Sequence, residues 1–202
     1  MTTLKNPAVP VVYERDPARN LLNKDDCALV VVDIQEKLLP PIHERERLVR
    51  NSQLLLRLAK ILGLPVIATT QYAQGLGRTV PEIAELLPKA DAIDKLQFGC
   101  FGDERFRAAL KAVPGKRNTL LLCGMETHIC VMQTALGALN NGYIVHVASD
   151  AVGSRSEWNW NIGLERMQAA GALISSTEMI IYELLGASAT AAFKAMLPHL
   201  KG

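Results

Sequence analysis

Long hydrophobic runs are what this 202-residue chain most plainly lacks. Its apolar stretches are strand-sized, too short for the roughly 20 residues that a membrane-spanning helix requires. Between Met1 and Asp26 no apolar stretch reaches signal-peptide length, so no secretion signal is expected. Cysteine is scarce as well. Four residues (Cys27, Cys100, Cys123 and Cys130) do not form a disulfide framework, and free thiols in a cytoplasmic setting are the expectation. Neither sign of charge dominates: 22 basic and 20 acidic residues are interspersed, for a net charge of +2. Without a basic run or interleaved aromatics, a nucleic-acid partner is not expected. Gly75-Leu-Gly77 has no third glycine of a dinucleotide motif and does not open a helix directly, so it reads as a loop. No repeat, low-complexity stretch or Gly/Ser linker suggests a second domain. The expected organisation is an arm over residues 1–24, without periodicity, and one domain over 25–202.

What is present is an alternation of short apolar runs with longer amphipathic ones. Ala28–Ile34 (ALVVVDI) is continuously apolar before it meets an acid, the pattern of a strand buried on both faces of a parallel sheet. His43–Gly63 reads as a helix, with Leu48, Leu55, Leu58 and Leu62 on one stripe and Gly63 as its stop. Pro65–Thr70 is a second strand, Thr79–Leu87 a short helix, and Ala90–Asp94 a weak third strand. Helix Asp103–Val113, strand Thr119–Gly124, helix Thr127–Asn141 and strand Tyr143–Ser149 follow. Glu157–Ala170, Ala172–Ser175 and Glu178–Leu185 then supply a helix, a sixth strand and a further helix. Repeated βα units of this length predict an α/β fold with a parallel sheet covered on both faces.

In such sheets ligands bind beyond the carboxyl ends of the strands, where the strand order reverses. The residues just after the expected strands are therefore the candidates: Asp33, Gln71 with Tyr72, Lys95, Met125–Cys130, and Ser149–Arg155. Cys130 falls at the start of an expected helix, where the dipole and unpaired N–H groups lower a thiol pKa and can stabilise an oxyanion. The plainer reading is a buried, inert thiol. Asp33 closes an apolar run, a place where an acid is costly unless it is paired or at work; alternatively it is a surface acid. Lys95 opens an unusually apolar loop, Lys95–Phe101 (KLQFGCF), which favours a lysine held over a pocket against a solvated one near Asp91 and Asp94.

Together these positions resemble the isochorismatase-like cysteine hydrolase superfamily, from about Cys27 to about Leu185, leaving out the arm and the last helix. The resemblance is carried by Val30-Val-Val-Asp33-Ile-Gln35, Lys95-Leu-Gln-Phe98 through Phe101, Gly124-Met-Glu-Thr-His-Ile-Cys130-Val131 and Ser149-Asp150-Ala151. Thr70-Gln71-Tyr72, Gly75-Leu-Gly77, Thr79-Val-Pro81-Glu82 and Ser154-Arg155-Ser156 are similar to the isochorismatase domain-containing subgroup. The resemblance implies a three-layer, Rossmann-like sandwich with six parallel strands in the order 3-2-1-4-5-6. It implies a catalytic triad of Asp33, Lys95 and Cys130, a cis peptide at Met125–Glu126, and an oxyanion hole from the backbone N–H groups of Glu126 and Cys130. Strand three would lie roughly 10 Å from strand one at about 4.8 Å per step, so the Lys95 loop would have to lean inward.

The implied chemistry is hydrolysis of a C–N bond (amide, imide or ureido) in a small metabolite, through a thioester and without a cofactor. Gln71, Tyr72 and Trp158 are candidate substrate-lining residues, and a homo-oligomer is expected. Metal-dependent members carry an Asp-His-His cluster after the second strand. Here that stretch is Gln71-Tyr-Ala-Gln-Gly-Leu-Gly-Arg78, so no metal is expected. Isochorismate hydrolases themselves lack the cysteine that this chain carries, which counts against vinyl-ether hydrolysis and leaves it as an alternative. Others are a redox-active thiol and an idle interaction protein on the same fold. Cys123 reads as core, and a zinc site from Cys123, His128 and Cys130 matches no familiar spacing. His43 and His146 read as a helix-start and a strand residue. Trp158 and Trp160 read as lining a pocket or a subunit contact, or as helix-to-sheet packing.

Overall fold

The computed structural model describes residues 20–88, 92–115 and 117–201. Most of the arm and the start of the expected third strand lie outside the described residues. Of the arm, Leu22 is buried and its N–H donates to Glu183 Oε2 at 3.0 Å.

The elements in chain order are β1 (Cys27–Val32), α1 (Arg45–Leu62), β2 (Val66–Gln71), α2 (Ala73–Leu76), α3 (Pro81–Ala84) and β3 (Ile93–Lys95). Next come α4 (Glu104–Ala112), β4 (Thr119–Met125), α5 (Met132–Asn140), β5 (Ile144–Gly153), α6 (Glu157–Ala169), β6 (Leu173–Ser175), α7 (Thr177–Leu185) and α8 (Ala191–Leu200). The six strands form one sheet in the order β3-β2-β1-β4-β5-β6, and every pairing is parallel.

The continuous apolarity of β1 is explained by its position at the centre of the sheet. Cys27, Leu29 and Val31 face a layer built on α1, α7 and α8, while Ala28, Val30 and Val32 face α4, α5 and α6. Both faces are dry, so neither set can be polar. The leucine stripe of α1 is buried through Leu48, Leu55 and Leu58, and the helix stops at Gly63, whose φ of 67° closes a left-handed cap onto Ala59 O.

Some elements differ from the sequence reading. Gly75 and Leu76 lie in the single helical turn α2, not in a loop, because Gly75 N–H and Leu76 N–H both return to Tyr72 O. The expected helix Thr79–Leu87 contracts to four residues, since Thr79 instead bridges Gln35 in antiparallel fashion. The helix expected from Thr127 divides into a π-turn over Thr127–Val131 and then α5. In α8, the last helix, Pro198 obscures the periodic pattern, although Met196 is fully buried.

Candidate active site

Strand order reverses between β1 and β4, and the polar residues of the carboxyl edge gather there. Alternation along β1 would send Asp33 to the same layer as Val31. Its backbone is left-handed, however (φ 50°), and its carboxylate meets Thr69, which shares the face of Ile67 and so the opposite layer. Thr69 Oγ1 donates to Asp33 Oδ1 at 2.7 Å. Lys95 Nζ donates to Asp33 Oδ2 at 2.6 Å, and both side chains have 0% exposure.

The expected inward lean of the Lys95 loop is not what closes this gap. Lys95 is the last residue of β3, in register with Gln71 of β2, and its extended side chain reaches across β2 to β1. A lysine ammonium has three donors. Here they meet Asp33 Oδ2, Gln71 Oε1 at 3.0 Å and Phe98 O at 3.1 Å. Gln71 is held in turn: its Nε2 donates to Leu96 O, and its N–H donates to Gln35 Oε1. Sequence reading missed Thr69 and the lysine-holding role of the Gln71 amide, because both depend on which side chains point into one gap.

β4 approaches β1 closely at the same point. A Cβ on Gly124 would lie 2.0 Å from Val32 O, and its φ of 119° is one that side-chain-bearing residues rarely adopt. The Met125–Glu126 bond that follows is cis. Beyond it the π-turn carries Cys130, buried in the layer of α4, α5 and α6.

The Asp33 and Lys95 charges both act on the Cys130 thiol, in opposite directions. The lowered thiol pKa expected from a helix start is not found. Burial pushes the Cys130 thiol up to about 12; the Asp33 charge pushes the same way, and Lys95 opposes it. Cys130 also lies in the π-turn, ahead of the α5 helix proper. The resting group is therefore a thiol beside a lysine-paired carboxylate.

Cys100, which sequence reading left without a role, lies against the same pair. It is fully buried, with its sulfur 3.8 Å from Thr69 Oγ1. Burial pushes its thiol up to about 11, with Lys95 opposing. At the rim of the site, Glu126 Oε2 accepts from Arg155 N at 3.0 Å and Nε at 3.1 Å, and His128 Nδ1 pairs with Ser154 Oγ at 2.9 Å. Desolvation lowers the His128 pKa. Thr127 Oγ1 is buried without a hydrogen-bond partner.

The remaining candidates lie apart from this cluster. Tyr72 is half-exposed at the end of β2, its N–H bonded to Lys95 O. Trp158 is exposed on the first turn of α6, whereas the Trp160 indole donates to Ser149 O and carries the Arg47 guanidinium over its ring. Cys123 faces the α1 layer, on the other side of the sheet from Cys130, so the two do not converge with His128 on one ion. Among the described residues no group of three or more His, Cys, Asp or Glu side chains could hold a metal. A shallow pocket at the opposite, amino edge of the sheet is lined by Leu22, Asp26, Thr119 and His146. No described helix is long and apolar enough to cross a membrane.

Six parallel strands in the order β3-β2-β1-β4-β5-β6, covered by helices on both faces, define a three-layer, Rossmann-like α/β fold with a buried carboxylate–lysine pair at its reversal point. The isochorismatase domain model matches residues 27–179, and the chain belongs to the isochorismatase family. It is 38% identical over 176 residues to the secreted isochorismatase effector Isc1 of Phytophthora sojae, covering 86% of this chain and 83% of that protein. Identity with isochorismatase domain-containing protein 2 of Bos taurus is 35% over 179 residues, covering 88% and 84%. With isochorismatase domain-containing protein 1 of Salmo salar it is 38% over 154 residues; that match spans 76% of this chain and 53% of the relative's length.

Among solved structures, the MAR1 ribonuclease of Caenorhabditis elegans superposes with a TM-score of 0.84 at 34% identity, over 91% of this chain and 93% of that one. YcaC from Pseudomonas aeruginosa, with hexane-2,5-diol and covalent acrylamide, gives 0.83 at 30% identity, over 90% and 92%. The Escherichia coli YcaC product, described as an octameric hydrolase of unknown specificity, gives 0.81 at 30% identity, over 90% and 93%.

Proposed function

We propose that this protein is a cysteine-dependent hydrolase of small-molecule C–N bonds, with Cys130 as nucleophile, Asp33 as acid and base, and Lys95 as the fixed cation. The observation that carries this reading is the fully buried pair in which Lys95 Nζ donates to Asp33 Oδ2 at 2.6 Å, at the strand reversal where the buried Cys130 follows β4. Because the thiol is not ionised at rest, its proton passes to Asp33 as the sulfur attacks the amide carbon. Lys95 balances the charge that develops on sulfur. The tetrahedral oxyanion rests on the backbone N–H groups of Glu126 and Cys130. Asp33 then gives the proton to the departing nitrogen, leaving a thioester. Water, deprotonated by Asp33, cleaves that thioester and restores the thiol.

Gln71 serves this scheme by holding Lys95, while the exposed Tyr72 and Trp158 are assigned to substrate contact. Acrylamide, held covalently in the Pseudomonas aeruginosa neighbour, is both an amide and a thiol-directed electrophile. This supports a reactive side chain in the shared fold. Exposed Leu96, Phe98 and Trp158 lie on segments that flank the site, and an octameric relative fits a homo-oligomer here, its order read by light scattering. Four free thiols fit a reducing, cytoplasmic compartment, which cell fractionation tests.

The test is a screen of amides, imides and ureido acids, with RNA and vinyl ethers as controls. Turnover of a C–N substrate that Cys130→Ala abolishes, with its melting temperature almost unchanged, is the expected result. Full activity of Cys130→Ala would end the covalent scheme, and turnover of vinyl ethers alone would favour ether hydrolysis. Acrylamide should add selectively to Cys130; uniform, slow labelling of all four cysteines would favour an idle site.

A further inference from the structure

Two thiols, not one, border the Asp33–Lys95 pair. Cys100 Sγ lies 3.8 Å from Thr69 Oγ1, whose hydroxyl donates to Asp33 Oδ1, and the Asp33 and Lys95 charges also act on the Cys130 thiol. The two cysteines are also joined through their backbones. Cys100 N–H donates to Thr134 Oγ1 at 3.1 Å, and that hydroxyl donates to Cys130 O at 2.7 Å. Thr134 is one turn beyond Cys130. Both cysteines belong to the same apolar layer, and Gly99, next to Cys100, lies so near α5 that a Cβ on it would fall 3.0 Å from Gln133 Cβ. The hydrolytic scheme uses Cys130 alone and gives Cys100 no task.

We propose that Cys100 is a resolving thiol for Cys130, so that peroxide converts the pair into a reversible disulfide that closes the site. Cys130 is the point of entry, because it retains slight exposure (6%) whereas Cys100 has none. In the first step the Cys130 sulfur attacks hydrogen peroxide: the O–O bond breaks, an S–O bond forms, the sulfur is oxidised to a sulfenic acid and one water leaves. Asp33 takes the thiol proton in that step and returns it to the departing oxygen. In the second step the Cys100 sulfur attacks the sulfenic sulfur, the S–O bond breaks, and hydroxide leaves as a second water with the Cys100 proton. Two thiols give up two electrons to one peroxide. A dithiol reductant reverses the change by thiol–disulfide exchange. Among the four cysteines this fate is particular to this pair, since Cys123 lies across the sheet and Cys27 at its amino edge.

The inference shares with the proposed function the reactivity of Cys130 and its proton transfer to Asp33, and its readout needs no substrate. The native protein is treated with hydrogen peroxide, its remaining thiols are alkylated, and it is digested with trypsin. The expected result is an intact mass lower by two hydrogens before alkylation, and a cross-link between the peptide 96–105, which holds Cys100, and the peptide 118–155. Fragmentation should assign the partner to Cys130 rather than Cys123, and dithiothreitol should remove the link. Cys100→Ser and Cys100→Ala, each checked for an unchanged circular dichroism spectrum, should lose the cross-link and instead gain two oxygens irreversibly on Cys130. Stable over-oxidation of Cys130 in the unaltered protein, or a cross-link that leaves out either residue, would overturn the proposal. Such a result would leave the hydrolytic reading standing.

Discussion

Lys95 Nζ lies 2.6 Å from Asp33 Oδ2 although the two residues sit on strands separated by β2, and neither side chain touches solvent. A buried pair of this kind contributes little net stability when intact, but removing one member strands a charge. Lys95→Met or Asp33→Asn alone should therefore cost about 3–5 kcal/mol in urea unfolding. The double substitution should cost less than the sum by about 0.5–3 kcal/mol, the sign of direct coupling. Strict additivity in the double-mutant cycle would deny the interaction.

Thr69 supplies the second donor to Asp33. Thr69→Val keeps the shape of the side chain and removes the hydroxyl, leaving a buried carboxylate oxygen short of a partner. The expected loss is about 1–3 kcal/mol in urea unfolding, with Thr69→Ser recovering most of it. Equal losses in the two variants would show that packing, not the hydroxyl, matters at this position.

The four thiols make the fold sensitive to alkali. Burial raises Cys27, Cys123 and Cys130 from 9.0 to about 12, and Cys100 to about 11. Between these values and 9.0 the unfolded chain holds fewer protons than the folded one, so stability falls as pH rises. It is fully retained below pH 9, and each thiol contributes a slope of up to about 1.4 kcal/mol per pH unit above that. Urea titrations from pH 8 to pH 11 should show this decline. Cys123→Ala, which removes a thiol remote from the site, should make the slope shallower by one thiol's share.

Gly124→Ala should be among the most damaging single-methyl additions in the chain. The new Cβ would fall 2.0 Å from Val32 O on a backbone at φ 119°, and neither strand can retreat without opening the centre of the sheet. A loss of at least about 3 kcal/mol is expected, combining steric overlap with strain. Thermal unfolding checks it, and a melting temperature within a degree or two of the parent would contradict the close approach.

Much of this architecture was legible because periodicity reports burial. The unbroken apolarity of Ala28–Val32 can be satisfied only by a strand covered on both faces, and the leucine stripe of Arg45–Leu62 only by a helix covered on one. Asp33, Lys95 and Cys130 were legible as polar groups in costly places, and the family resemblance ordered them. Short elements were less so. At Gly75–Leu76 and Thr79 the outcome turns on a few backbone hydrogen bonds to distant partners, Gln35 among them, and no local pattern encodes these.

By itself the amino-acid sequence determined the layered α/β fold, the family, and the strand ends at which chemistry could occur, because each follows from local patterning or from motif residues. Tertiary structure alone decided that the Lys95 side chain, not its loop, crosses β2, that Thr69 and Gln71 fasten the pair, and that burial pushes the Cys130 thiol pKa up rather than down. It also decided that Cys100 stands beside it. These are facts of distance and desolvation between residues far apart in the chain, and the energy of a buried charge or thiol depends on such neighbours rather than on its place in the sequence.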